Sequence, residues 1–340
     1  MSIQTHSNPI KAVGNGISQG TSRLLGLFVS FFDLFFGAVQ RWLGIRSMPY
    51  IFALPNLLIF GIFILFPMLL NFWYATTGGI EFFPNERTWV GTANFEQLLT
   101  CESFFDPNTC REDLFWRAVQ NSVGYVVAQV SLMVLFSLVT ALVLNRNIKG
   151  RGFFRSVFFY PVLLSPIVVA LIWKWILQEN GALNAIIAAI GFDKVPFMVD
   201  ATWARFWVVM ISVWAYMGFY TLILLAGLQA IPSDVYEAAD IDGANEWQSF
   251  WRITLPLLMP NMLVVLVLAL IRAVQVFDVV FAFTGGGPGT ATLYLVQYIY
   301  DNGFSSPTKR YGIAAAASLL MAGTLVVLTL IQLRLNREEN

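Results

Sequence analysis

Charged residues are scarce in this sequence. Lysine and arginine contribute 20 of its 340 residues and aspartate and glutamate another 20, together 12%, whereas an ordinary soluble domain has about 25%. Hydrophobic residues make up 57%, and the mean hydropathy is +0.68. So few charges cannot cover the surface of a soluble fold of this length. The composition therefore excludes a soluble globular enzyme and a disordered chain, and it predicts a polytopic membrane protein.

Several chemical groups are also missing. The net charge is zero, so the sequence shows no excess of basic residues that would bind nucleic acid. It has one histidine and two cysteines, too few for a cluster of metal ligands. The glycine-rich run 284–290 lacks the lysine of a phosphate-binding loop, so we interpret it as a backbone turn. We therefore expect no catalytic residue, metal or cofactor in this chain, and its energy must come from an ion gradient or a partner. We also expect no cleaved signal peptide.

What the sequence does contain is long apolar runs. A helix that crosses the bilayer needs roughly 20 apolar residues. Six stretches meet this requirement: residues 51–74, 118–144, 157–178, 206–229, 260–283 and 311–333. The sequence therefore predicts an all-α membrane protein with six transmembrane helices.

The connecting segments predict the orientation. Segment 145–156 holds four basic residues and no acid, whereas segment 75–116 holds seven acids and two arginines. Because short basic loops stay in the cytoplasm, we expect both termini inside a bacterial cytoplasmic (inner) membrane and segment 75–116 in the periplasm. Segment 230–257 is predicted to be cytoplasmic although it carries five acids and only Arg252.

Residues 22–44 allow two interpretations. Their polar and glycine residues fall within one arc of roughly 100° on a helical wheel. This pattern favours an amphipathic helix lying in the inner interface, in contact with membrane lipid. The alternative is a seventh span with the same strip facing a neighbouring helix. We divide the chain into a tail with an interfacial helix, 1–47, and a transmembrane domain, 48–340.

Cys101 and Cys110 both lie in the predicted outer segment. The outer face is oxidising, so a disulfide between them is a reasonable prediction, and a loop of this size would gain on the order of 3 kcal/mol from it. Two unpaired thiols are the alternative.

The acidic segment 230–257 predicts a short helix-turn-helix. The side chain of Ser233 or Asp234 can cap a helix that begins near Val235. Gly243 can end or bend that helix, and a second short helix can run over 245–253. This hairpin would project from the membrane between the fourth and fifth spans.

Residues 237–256 carry a recognisable motif. They read Glu-Ala-Ala, three residues, Gly, nine residues and Ile-x-Leu-Pro, which resembles the EAA loop of binding-protein-dependent ABC importer permeases. Downstream, VQVFDVVFAFTGGGP at 274–288 is similar to the carbohydrate branch, on the side of the maltose-type first permease subunit. The resemblance covers roughly residues 48–335.

The resemblance implies a type I ABC importer permease fold and a set of partners. The 230–257 loop would be a coupling helix seated in a cleft of a cytoplasmic ATPase, with ATP and Mg bound by that ATPase pair. A second permease subunit and a periplasmic solute-binding protein would complete the importer. Glu237 would contact an ATPase group, the alanines would permit close approach, and the glycine would allow the turn; the coupling residues are then Glu237, Ala238, Ala239, Asp240 and Gly243.

Polar residues inside the spans suggest a substrate route. Counting 1.5 Å per residue from the inner boundary puts Tyr216 and Arg272 about 20 Å deep and Gln129 about 22 Å deep. Sugars bind to aromatic faces and hydrogen-bonding side chains, which gives the candidates Gln129, Tyr216, Phe219, Tyr220, Arg272 and Gln275. Alternatively, Tyr216 and Tyr220 are core packing, and Gln129 joins helices by a hydrogen bond.

Arg272 departs from the pattern of the carbohydrate branch, where a small residue is usual. A guanidinium group in a sugar-sized cavity could bind a carboxylate, phosphate or sulfonate. The hypothesis is an acidic sugar derivative as substrate. The alternative is a structural partner, such as Asp278 or a residue of the companion permease.

Together these features predict a transmembrane subunit that forms half of a pathway for a sugar, polyol or sugar derivative by alternating access. The alternative is a self-contained ion-coupled secondary transporter, which would need several acids near the midplane and an internal repeat. A structural scaffold would leave Arg272 and the EAA spacing unexplained.

Overall fold

The computed structural model describes residues 40–41 and 44–337. Apart from 40–41 and 44, the segment 22–44 lies outside the described residues, so both interpretations of it stay predictions. The chain divides into two units, Met1–Leu70 and Asn71–Asn340, each of which is described by itself.

The regular structure of the described part is helical. Its α-helices are α1 Met48–Phe60, α2 Phe66–Ala75, α3 Ala93–Leu99, α4 Asp113–Asn145, α5 Arg151–Phe159, α6 Pro166–Leu177, α7 Ala182–Ala189, α8 Ala201–Ala230, α9 Ser233–Ile241, α10 Glu246–Ser249, α11 Leu255–Val274, α12 Asp278–Phe283, α13 Leu295–Tyr300 and α14 Tyr311–Arg337. Short 3-10 turns lie at Ile45–Ser47, Pro84–Glu86, Pro107–Thr109 and Tyr160–Leu163, and π turns at Gly61–Leu65, Phe250–Thr254 and Asp301–Ser305.

Five stretches within the described residues are long and apolar enough to cross a membrane: Met48–Ala75, Asp113–Asn145, Ala201–Ala230, Glu246–Val274 and Tyr311–Gln332. The first contains the boundary between the two units. Continuous helix suits these runs because lipid offers no partner to backbone N–H and C=O groups. They overlap five of the six predicted spans, although Glu246–Val274 shares only residues 260–274 with the predicted span 260–283.

The predicted span 157–178 is not one straight helix. Arg151–Leu163 and Pro166–Ala189 are bent by 99° where they meet. Ser165 precedes a proline and has the extended angles φ −61° and ψ 133°, because the proline ring disfavours a helical residue before it. The described chain therefore has up to six spans, and the sixth exists only if this bent pair is one.

The predicted span 260–283 is wrong at its outer end. Helix α11 ends at Val274, residues 275–277 leave the helical path, and α12 begins at Asp278. Phe277 has φ −145° and ψ −63°, outside the helical range. Hydropathy reports how apolar a run is and not whether its backbone stays helical, so the run 260–283 conceals this break.

The core of the second unit lies between α4 and α8, with α6, α11 and α12 packed around them. Met133, Leu224 and Val265 are fully buried there. At Gly218 of α8 the neighbouring backbone comes so close that a Cβ would lie 2.1 Å from the carbonyl oxygen of Phe158. Only glycine permits this contact, which fixes the position of α5 against α8.

The region outside the long helices is held by polar links and a disulfide. The structure joins Cys101 and Cys110 by a disulfide. Arg87 is buried and donates to the carbonyl oxygens of Thr77 and Glu81. These contacts hold the segment between α2 and α4 in a defined conformation, for which hydropathy alone makes no prediction.

An ion pair ties the starts of two long helices together. Arg310 donates to both carboxylate oxygens of Glu112, at 2.8 and 2.5 Å. Burial alone would raise the pKa of Glu112, but its hydrogen bonds and its attraction to Arg310 outweigh burial and hold the pKa below the usual range. The same hydrogen bond raises the pKa of Arg310. The pair thus links the beginning of α4 to the beginning of α14.

Candidate functional site

A cavity of about 430 Å³ lies among α4, α6, α8, α11 and the break before α12. All six candidate substrate residues line it: Gln129, Tyr216, Phe219, Tyr220, Arg272 and Gln275. We call this space the central cavity. The structure therefore brings together residues from three helices far apart in sequence, and the role of these residues in substrate binding stays a prediction.

Arg272 is stacked on Tyr216 in the central cavity. Its guanidinium carbon lies 4.0 Å from the centroid of the Tyr216 ring, the geometry of a cation–π contact. Asp278 lines the same cavity. Within the described part of the chain, however, no ion pair joins Arg272 to Asp278 or to another acid. The alternative that Asp278 is the ion-pair partner of Arg272 thus finds no support in this conformation.

The other candidate substrate residues differ in how exposed their side chains are. Tyr220 is buried in the core and Tyr216 packs against that core, so these tyrosines serve packing as well as lining. Gln129 is only 1% exposed, and its Oε1 atom has no hydrogen-bond partner. A buried acceptor without a partner is rare, and here it lies on the wall of a cavity. Phe219 and Gln275 are exposed.

Sequence reasoning missed part of the lining. Tyr125 and Phe277 also line the central cavity, as does Asp278, which the sequence suggested only as a structural partner of Arg272. Tyr125 lies four residues before Gln129, so the helical repeat alone could have indicated it. Phe277 and Asp278 reach the cavity because α11 ends at Val274. Hydropathy does not predict that break.

The acidic loop 230–257 folds as two short helices, α9 and α10. Gly243 has φ +76°, and the N–H of Ala244 donates to the carbonyl of Ala239 at 2.9 Å, so this glycine ends α9 in the left-handed conformation. The predicted side-chain cap is wrong: the residue before α9 is Pro232, and Ser233 bonds to Asp234 instead. Ser233 is already helical, which turns its hydroxyl away from the free N–H groups.

The second part of the loop is helical from Glu246, close to the predicted start, but the helical path does not end near residue 253. Asn245 caps α10 in a reciprocal pair with Gln248, with both bonds at 2.9 Å. Only Glu246–Ser249 is α-helical, and Phe250–Thr254 forms a π turn that continues into α11. The loop is therefore rigidly joined to the fifth span.

Most candidate coupling residues point outward. Glu237, Ala238, Asp240 and Gly243 are exposed, whereas Ala239 is buried. Ala239 is thus buried within this chain, and its predicted role against a partner stays a prediction. Ile241, which is 87% exposed, and the exposed Trp247 add an apolar surface that the sequence analysis did not single out.

Two side-chain contacts hold the loop on the body of the protein. The Tyr236 hydroxyl lies 3.0 Å from Oγ1 of Thr254. Arg146, just after α4, donates to Glu246 at 3.1 Å. The acidic loop thus contacts the end of α4 through Arg146 and the residue before α11 through Thr254, and these two helices carry Gln129 and Arg272 of the central cavity.

Most of the chain matches known proteins. Residues 133–339 match the family described as binding-protein-dependent transport system inner membrane component. The trehalose/maltose transport system permease protein MalF of Thermococcus litoralis is 35% identical over 294 residues, which cover 86% of this chain and 94% of that protein.

Two solved structures share the fold. A crystal structure of a bacterial ABC transporter involved in the import of the acidic polysaccharide alginate has a TM-score of 0.74 at 27% identity, over 88% of this chain and 99% of that chain. A bacterial alginate ABC transporter in complex with an alginate pentasaccharide-bound periplasmic protein has a TM-score of 0.69 at 25% identity, over 88% and 98% of the two chains.

Proposed function

Because the chain belongs to the family of binding-protein-dependent transport system inner membrane components, we propose that it forms half of the translocation pathway of an ATP-driven sugar importer. It is a permease subunit and not the ATPase. The observation that carries the proposal is the pairing of two features in one chain: an exposed EAA loop and a central cavity lined by aromatic and polar side chains.

The coupling step uses the acidic loop. Glu237, Ala238, Asp240 and Gly243 dock in a cleft of the partner ATPase, which binds ATP and Mg. An exposed acidic surface suits a protein socket better than the anionic inner leaflet. When ATP closes the ATPase dimer, α9 and α10 move; the contact of Tyr236 in α9 with Thr254 passes that movement to α11, and the contact of Glu246 in α10 with Arg146 passes it to α4.

The transport step is alternating access around the central cavity. Arg272, Phe219 and Gln275 are exposed in the isolated chain although they lie deep in predicted spans. A charged side chain facing lipid at that depth would cost several kcal/mol, so a second permease subunit covers this side. Rocking of the two permeases then opens the cavity to either face in turn.

The substrate is a sugar or sugar derivative. The Tyr216 and Phe219 rings supply faces for a sugar ring, while Gln129 and Gln275 supply hydrogen bonds. MalF of Thermococcus litoralis transports trehalose and maltose by its name, and an alginate importer structure includes a periplasmic binding protein. A periplasmic solute-binding protein therefore delivers the sugar at the outer side, with both termini of this chain in the cytoplasm.

An ion-coupled secondary transporter is not favoured. Asp278 is the single acid among the described residues that line the central cavity, whereas ion coupling relies on acidic relays inside the spans. Membership of a binding-protein-dependent family also argues against a self-contained carrier.

Uptake into sealed vesicles tests the proposal. Vesicles that contain the assembled importer receive ATP inside and the binding protein with labelled sugar outside, with or without a protonophore and a sodium ionophore. We expect uptake that requires ATP and survives both ionophores. Uptake without ATP that collapses with an ionophore would establish the secondary transporter instead.

A further inference from the structure

The contact between Arg272 and Tyr216 leaves the guanidinium group open for another partner. Stacking uses the flat face of a guanidinium group, whereas its N–H donors point outward in the plane. The Tyr220 hydroxyl also lies near Arg272, and a neutral hydroxyl does not balance a positive charge. No acid of the described chain forms an ion pair with Arg272.

Among the described residues, this positive charge therefore has no counter-ion, at a predicted depth where charge is unfavourable. Charged side chains in spans pair with a partner or face a water-filled cavity. Arg272 lines the central cavity, and its side chain is exposed in this chain. A planar fork of donors at such a place matches a carboxylate, which accepts two parallel hydrogen bonds.

The other residues of the cavity wall make its two ends differ in the chemical groups that they attract. Gln129 lines the cavity wall, and its side-chain amide can form a hydrogen bond with a hydroxyl group of a ligand. Asp278 lies on the same wall without pairing to Arg272. A carboxylate near Asp278 would be repelled, whereas a hydroxyl there could donate to it. The charges thus orient a ligand that has an anionic end and a hydroxyl-rich end.

We propose that the central cavity selects a sugar acid: a saccharide whose carboxylate binds Arg272 while a neutral ring contacts Tyr216 and Phe219. The volume of about 430 Å³ falls within the usual range of small-molecule sites, about 300–1,000 Å³. This inference rests on the proposed function, because it names the substrate class of the same cavity.

Matched sugars test the inference in the assembled importer in proteoliposomes, with ATP inside and the binding protein outside. The probes are neutral disaccharides, such as cellobiose, and the uronic acids of the same linkage, such as glucuronosyl-β-1,4-glucose. We expect the uronic acids to be taken up in preference to their neutral counterparts. We also expect Arg272→Met to lower their uptake efficiency by about 30-fold or more, the usual loss when a desolvated charge pair is cut.

Two further variants separate charge recognition from structure. Arg272→Lys keeps the charge without the planar fork, so it should recover part of the uronic acid uptake. Arg205→Met is the matched control, because the exposed Arg205 donates to the carbonyl of Ala291 and lies outside the central cavity. It should leave the preference unchanged.

The other outcomes overturn the inference in distinguishable ways. Uptake of neutral sugars alone would leave the proposed function standing and remove the sugar acid. Equal loss of both sugars in Arg272→Met would assign Arg272 a structural role. Loss of the second permease from the purified Arg272→Met complex would show that the companion supplies the counter-ion. If neither class of sugar is taken up, the proposed function fails as well.

Discussion

The central cavity and the acidic loop are built in opposite ways. The cavity is assembled from helices spread between Tyr125 and Val279, and its wall is continuous with the buried core. The loop is one contiguous stretch, mostly exposed, held to the body by the contacts of Tyr236 and Arg146. The difference teaches that changes near the cavity act through folding as well as function, whereas changes on the loop act mainly through a partner.

The largest expected effect is at the close contact that supports the cavity. A Cβ at Gly218 would lie 2.1 Å from the Phe158 carbonyl oxygen, so Gly218→Val must push α5 away from α8. We expect a loss of about 3 kcal/mol of stability, measured as a lower melting temperature of the detergent-solubilised protein. Gly323→Ala is the control, because nothing lies within 4 Å of a Cβ there. Equal behaviour of the two variants would disprove the tight contact.

The next largest effect is expected at the ion pair between Arg310 and Glu112, in the region predicted to be periplasmic, where burial is intermediate. The side chains of Arg310 and Glu112 are 34% and 9% exposed, so the pair is partly screened. We expect Glu112→Gln to cost about 2 kcal/mol at pH 7. Glu102→Gln, at an exposed acid of the same outer region, should have little effect.

At acidic pH, the difference in stability between wild type and Glu112→Gln should disappear. The pKa of Glu112 is lowered in the folded protein, so its contribution to stability is full above the unfolded value, about 4.3, and disappears as the pH falls through the folded value. Melting curves of both proteins between pH 7 and pH 3 measure this. A gap between wild type and Glu112→Gln that widens on acidification would contradict the assignment.

For the acidic loop we expect little change in folding stability but a clear loss of transport. Glu237 is exposed and has no part in the core, so Glu237→Ala should leave the melting temperature unchanged. Loss of one charged hydrogen bond to the ATPase should lower ATP-driven sugar uptake about tenfold. Glu179→Ala, at an exposed acid outside the loop, should transport normally. A Glu237→Ala protein that unfolds early would remove the contrast between the two regions.

The smallest effect concerns the loop's own anchor. The side chains of Arg146 and Glu246 are 73% and 90% exposed, and such surface pairs contribute about 0.5 kcal/mol or less. Arg146→Ala should therefore barely change the melting temperature, and high salt should leave wild type nearly unaffected. A drop comparable to that of Gly218→Val would show that the loop belongs to the folded core.

The sequence predicted what depends on composition and local pattern. Five spans follow from apolar runs, and the turn at Gly243 follows from its place after the alanines. Depth counting along the helices selected Gln129, Tyr216 and Arg272, which the structure places on one cavity.

The sequence predictions failed where the structure depends on a change in backbone direction or on a contact between residues far apart in the sequence. The bend at Ser165 and the break at 275–277 lie inside apolar runs, where hydropathy carries no information about direction. Ala239 is buried within this chain, which the EAA motif does not reveal. The stacking of Arg272 on Tyr216 joins two helices and has no local signal.

Contact between the acidic loop and the ATPase tests the central claim most directly. A photo-crosslinking residue at Ile241, the highly exposed last residue of α9, is introduced into the full-length chain within the assembled importer. We predict a crosslink to the ATPase subunit whose yield changes when ATP is added. A crosslink to a periplasmic protein, or none to any nucleotide-hydrolysing subunit, would contradict the account.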